Sequence, residues 1–220
     1  MPDDPNELLK TAMAWDEDAK EAKRLVEQGA GTSELLDTAI QFKMNAVAKA
    51  MLANGIAPLP DALLKVAEGS RNKALVKPLL AAGIDVNATD EFGKTALQMV
   101  IHHKKRAFAE ALVAAGAEID KQMTALPHDT ALHLVCETAS GEMTDAEEAN
   151  ARWLIEAGAN PNIINANEYT ALHLAVKSAT PNVVAALVAA GAQLDLGSTK
   201  FTPLVLADRR GDAEVIAALG

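Results

Sequence analysis

Residues 170–191 read TALHLAVKSATPNVVAALVAAG: a threonine, a short apolar helix, a polar break, a second apolar run and a closing Ala-Gly. The opening phrase recurs as TALQM from Thr95, TALHL from Thr130 and TPLVLA from Thr202. The closing glycine recurs too, at Gly29, Gly55, Gly83, Gly116, Gly158 and Gly191. Gly83 to Gly116 and Gly158 to Gly191 are both 33 residues apart, whereas Gly116 to Gly158 is 42, longer by nine. Two motifs that hold phase over several periods mark a repeat architecture. Toward the N-terminus the phrase degenerates but keeps its place, as ELLKTA from Glu7, ELLDTA from Glu34 and ALLKVA from Ala62, so seven units fit the chain.

The pattern resembles the ankyrin repeat, most strongly from about Ile84 to Leu219. That resemblance implies an all-α solenoid of about seven helix-turn-helix units, with short β-hairpin fingers in the C-terminal two thirds. We expect one ankyrin-repeat domain over 1–220. Residues 1–82 form three finger-less helical-hairpin repeats, since glycine intervals of 26 and 28 leave no room for a finger. Residues 83–199 form three ankyrin repeats, the middle one with an insertion near 140–147, and residues 200–220 form a C-terminal capping repeat. The insertion holds Gly141, Glu142, Asp145 and Glu147 and is expected to be an exposed, mobile loop.

Each motif residue has a mechanical reading. Thr130 and Thr170 cap the first amides of a helix whose apolar side carries Leu132, Leu134, Leu172 and Leu174. Gly83, Gly116, Gly158 and Gly191 stop the second helix in a left-handed conformation that residues with a Cβ avoid. The resemblance gives His133 and His173 a structural role, bonding finger backbone.

Composition narrows the function. The 220 residues are 50% hydrophobic and 23% charged, as in a soluble globular protein. With 20 basic and 30 acidic side chains the net charge is −10, which opposes nucleic acid or an anionic membrane as partner and favours a protein with a basic surface. From Glu118 to Glu168 ten acids face only Lys121 and Arg152, a local surplus of eight negative charges. A lone Cys136, an acidic start without the apolar core of a signal peptide and no long apolar run together suggest a cytoplasmic chain, and a monomer is expected.

Chemistry-bearing motifs are sparse. No phosphate loop, zinc-binding His-Glu-x-x-His, nucleophile elbow or dinucleotide fingerprint occurs, so the chain reads as a non-enzyme without cofactor or metal. His102 and His103 are adjacent and lack the spacing of a metal-binding helix face. Cys136 and His133 sit three apart, as a nucleophile and base would, but Cys136 falls in the packing column of Ile101 and Val176.

Aromatic residues are 3% of the chain. Phe108 and Trp153 fall on second helices, Phe92, Tyr169 and Phe201 on fingers, and Trp15 and Phe42 at first-helix ends, where they either fill core or face a partner. Ankyrin proteins present fingers and first-helix ends on the concave side. Carried over residue by residue, the expected partner contacts are Phe92, Lys94, His128, Asn167, Tyr169, Thr199 and Phe201 on fingers. At helix ends they are His102, His103, Glu137, Thr138, Lys177, Ser178, Arg209 and Arg210. The function expected is a non-catalytic protein-binding module, as an inhibitor or immunity-type protein masking its partner. An adaptor joining two partners is the alternative, and an enzyme or small-ligand binder built on His102, His103 and His128 is a third reading.

Overall fold

The computed structural model describes all residues except 1–3, 15–18, 70–72, 138–142, 179 and 198–199. It contains fourteen α-helices among the described residues, one 3-10 turn at Lys73–Leu75 and no strand, with isolated bridge residues at Thr89 and Thr95. The chain forms two compact units, residues 1–90 with 110–117, and residues 91–109 with 118–220.

In the first unit α1 (Pro5–Ala14) packs on α2 (Ala19–Glu27), α3 (Ser33–Gln41) on α4 (Asn45–Ala53), and α5 (Ala62–Gly69) on α6 (Val76–Ala81). First helices also meet first helices, α3 against α5, and second helices meet second helices, α2 against α4 and α4 against α6. The fully buried Leu9, Leu36 and Leu63 stand 27 residues apart in successive first helices, the degenerate phrase expressed as packing.

The second unit repeats the scheme with α9 (Ala131–Cys136) on α10 (Asp145–Glu156), α11 (Ala171–Lys177) on α12 (Pro181–Ala189), and α13 (Pro203–Arg210) on α14 (Ala213–Leu219). The row of first helices begins with α7 (Ala96–His102) and continues through α9, α11 and α13. Between α7 and α9 lies α8 (Arg106–Ala114). Ala39, Ala67, Ala175 and Ala207 are wholly buried on first helices, where a one-carbon side chain lets neighbouring axes approach closely. Leu97, Leu132 and Leu172 fill the remaining space, each contributing about 2–3 kcal/mol of apolar burial.

The six repeat glycines have φ between +79° and +97°, the left-handed helix stop expected of them. Loops follow Gly83, Gly116, Gly158 and Gly191 where fingers are expected; among the described residues none of them forms a strand, and β pairing is limited to the bridge residues Thr89 and Thr95. The reason is visible in the hydrogen bonds. Met123 N–H donates to Asp129 O (3.1 Å) and Asn165 N–H to Tyr169 O (2.9 Å), one cross-finger bond apiece, and the Tyr169 amide turns to the Asn165 side-chain oxygen (3.0 Å). A side chain has replaced the carbonyl that a ladder would need.

The insertion also differs from expectation at its C-terminal end. Residues 138–142 lie outside the described residues, but Asp145 and Glu147 belong to the first turn of α10, not to a loop. Glu147 accepts from the Thr144 amide and hydroxyl (both 2.7 Å) and pairs with Lys104 at 3.3 Å. Those hydrogen bonds and the Lys104 ammonium hold its carboxyl below the usual carboxylate range against the opposing effect of burial.

Candidate partner-binding face

Four first helices of the second unit begin with a threonine, and the side chain three residues on closes a reciprocal cap in three of them. In α7 Gln98 Oε1 accepts from the Thr95 amide (2.8 Å), while its Nε2 donates to Lys121 O (2.7 Å) and Asp129 O (3.1 Å). In α9 and α11 histidine closes the cap. Nδ1 of His133 and of His173 accepts from the Thr130 and Thr170 amides (3.3 and 3.0 Å). The proton must then sit on Nε2, and that of His133 donates to Tyr169 O at 3.1 Å, the finger bond the sequence implies. Burial keeps both rings neutral: it lowers the pKa of His133 and pushes that of His173 down to about 4.

The cap fixes the residue just before it, and two helical turns later the chain returns to the same side. That places Lys94, Asp129, Tyr169 and Phe201 in one finger column and His102, Glu137, Lys177 and Arg209, eight residues on, at the helix ends. In α11 the Lys177 ammonium lies 5.2 Å from the Tyr169 ring centroid, and in α13 the Arg209 guanidinium lies 5.2 Å from that of Phe201. Arg210 Nη1 donates to Lys177 O at 2.7 Å, joining the two helix ends. The Tyr169 ring also stacks on His173, centroids 5.2 Å apart, so it is half-buried where Phe92 and Phe201 are exposed (55% and 39%).

The column breaks in the middle repeat. Asp129 is 1% exposed and its carboxylate accepts from Asn165 Nδ2 at 2.8 Å, a bond between consecutive fingers. Asn165, itself nearly buried, is the structural residue that motif reading missed; an asparagine repeated in Asn160, Asn162 and Asn165 along one finger was the available signal. Glu137 and Asn167 are exposed, as are His102 and His103, whose rings meet edge-on at 5.6 Å. Partial burial, with help from Lys94 and Lys104 and against Glu147, lowers the His102 pKa. His128 is half-buried at a finger tip with φ +63°, beside Glu168 at +61° and Gly93 at +74° in the equivalent positions. Ser178 is buried, its hydroxyl donating to Cys136 O at 3.1 Å, which removes it from a contact surface. Trp15, Thr138 and Thr199 lie outside the described residues.

Chemistry elsewhere is spoken for. Cys136 is fully buried and burial pushes its thiol up to about 12, while both nitrogens of His133 are committed to backbone, so the two do not form a nucleophile and base. Among the described residues no three His, Cys, Asp or Glu side chains converge as metal ligands. Cavities of about 540 and 500 Å³ occur in the first unit, lined by Asp37, Asn45 and Lys65 and by Met13, Leu35 and Phe42, and neither takes a histidine. No helix among the described residues is long and apolar enough to cross a membrane.

The helix pairs, the reciprocal Thr caps and the face of finger and helix-end side chains define a repeat module of the kind that binds other proteins. Residues 143–220 match the family model described as ankyrin repeats, three copies. A 62-residue stretch, 28% of this chain and 30% of the relative, is 42% identical to YahD of Escherichia coli (strain K12), named as an ankyrin repeat protein. Another match, 32% identical over 123 residues, is to a Caenorhabditis elegans protein named intracellular phospholipase A2, and covers 54% of this chain and 11% of that one. The chain therefore spans less than a third of the length of either relative. Residues 143–220 are thus an array of ankyrin repeats, a kind of repeat that indicates a protein–protein interaction module.

Proposed function

We propose that this ankyrin module is non-catalytic and masks a partner protein, in the manner of an inhibitor or immunity-type protein. The observation that carries the reading is the pair of cation–aromatic contacts, half-buried Tyr169 with Lys177 and exposed Phe201 with Arg209, at equivalent places in neighbouring repeats. Aromatic and arginine side chains already held in place lose little entropy on binding and dominate interface energetics. Phe92, Lys94, His102, His103, His128, Glu137, Asn167 and Arg210 complete the contact set in this reading. The acidic surplus between Glu118 and Glu168 supports a partner with a basic surface, steered in by long-range attraction. The chain acts as a cytoplasmic monomer, a single domain of three finger-less repeats, three ankyrin repeats and a cap.

Affinity capture from the native lysate, compared between the parent chain and Phe92→Ala/Phe201→Ala, tests this. One stoichiometric enzyme, lost from the variant and inhibited by the parent, is the expected result. Two partners captured together would move the reading to an adaptor, and a capture indifferent to both phenylalanines would remove it.

A further inference from the structure

Lys177 and Arg209 each sit over an aromatic ring in neighbouring repeats of a chain of net charge −10. Both are exposed and lie over an aromatic ring at 5.2 Å, and neither has a carboxylate partner among the described residues. Several other cations are neutralised, Lys65 by Asp37 and Asp61, Lys104 by Glu147 and Arg24 by Glu21. Arg210, next to Arg209, is anchored on Lys177 O and lies 3.9 Å from Asp212, so it braces the site and leaves the other two facing outward.

The two pairs are also in register. Tyr169 and Phe201, just before α11 and α13, are 32 residues apart, as are Lys177 and Arg209 at the ends of those helices, which pack together. Packed helices lie about 8–10 Å apart. An extended chain covers that distance in about three residues at roughly 3.3 Å each. A ring beneath each cation offers apolar contact, and the cation above it offers donors to a carboxylate.

We propose that this end of the face receives an extended acidic segment of the partner protein, with Asp or Glu at every third position, one carboxylate to Lys177 and the next to Arg209. The proposal rests on the reading of this face as the partner-binding one and adds a charge polarity to it, anionic near the middle repeat and cationic at α11 and α13.

The test uses the full chain and a fluorescein-labelled peptide, (Glu-Ala-Ser)4, with (Gln-Ala-Ser)4 as its neutral twin and oligo-dT as a polyanion of another class. Fluorescence anisotropy is read at about 30 mM salt, where screening is weak. The glutamate peptide is expected to bind at least about tenfold tighter than the glutamine peptide. Lys177→Gln/Arg209→Gln is expected to abolish that preference, while Lys20→Gln/Lys23→Gln on α2 leaves it unchanged. Matching thermal melts establish that the variants are folded. Equal binding of the two peptides, a preference that survives Lys177→Gln/Arg209→Gln, or oligo-dT binding as tightly as the glutamate peptide would each overturn the proposal. If the peptides fail while Phe92→Ala/Phe201→Ala still loses the captured partner, the acidic segment is wrong and the partner-binding face stands.

Discussion

Replacing His173 by glutamine should make the protein resistant to mild acid. His173 is fully buried, its Nδ1 is occupied by the Thr170 amide, and its pKa is pushed down to about 4 by burial. In the unfolded chain the imidazole titrates near 6.5. A base whose folded pKa is depressed leaves stability complete above the unfolded value, because neither state then carries the proton. As pH falls from 6.5 toward 4 the unfolded chain binds the proton first, so stability drains away, and below 4 this group takes no more. The gap of about 2.5 pH units corresponds to roughly 3 kcal/mol in full, of which about 2 kcal/mol is already gone at pH 5. His133, buried and lowered in the same direction, adds to the same window. Glutamine is the right replacement because Gln98 already closes the equivalent cap in α7, accepting from Thr95 and donating to two finger carbonyls. Urea unfolding at pH 7 and pH 5 provides the assay. The parent should lose about 2 kcal/mol more than His173→Gln between the two, with carboxylate contributions cancelling in the difference. Equal losses in both proteins would show that His173 protonates without penalty and that the neutral-ring account of the cap is wrong.

Three further substitutions test the backbone and the finger network. Gly93→Ala should cost about 2 kcal/mol or more, because φ is +74° and the added Cβ would collide with the backbone of Thr124; a melt unchanged from the parent would contradict this. Lys43→Gly should raise stability by up to about 1 kcal/mol, since Lys43 holds φ +61° where Gly211 serves the last repeat; a lower urea midpoint would show that the lysine makes a compensating contact. Asn165→Ala should lose about 2–3 kcal/mol by stranding the buried Asp129 carboxylate and two finger amides, read by thermal or urea unfolding, whereas a loss below about 0.5 kcal/mol would mean that water replaces the side chain.

What could be read from the sequence was what repeats. Thr130 and Thr170, the leucines two positions after them and the closing glycines each have one mechanical job, so their spacing announces helix pairs before any coordinates. The finger hairpins were legible as loops but not as non-strands. Asn165 gives its side chain to an amide that a strand partner would otherwise take, and sequence spacing does not say which acceptor wins. The acidic surplus was counted correctly, but charge counting cannot separate Glu137, which faces solvent, from Asp129, which is buried against Asn165, or Glu147, which caps α10. The aromatic columns placed Phe92 and Phe201 outward, as they are, whereas Tyr169 is drawn partly inward by the His173 ring beside it. That stacking depends on a histidine in the same repeat, a relation between two motif columns that neither column displays alone. The cations over Tyr169 and Phe201 follow from an eight-residue return across a capped helix, a spacing that becomes meaningful once the helix length is known.

If a partner protein is held by the finger and helix-end side chains of the second unit, titration calorimetry of the captured partner will register the loss of those side chains. Phe92→Ala and Phe201→Ala should each weaken binding by roughly 1–3 kcal/mol, about five- to 150-fold, with melting curves close to the parent's. Affinities unchanged by both substitutions, in proteins that melt like the parent, would contradict it.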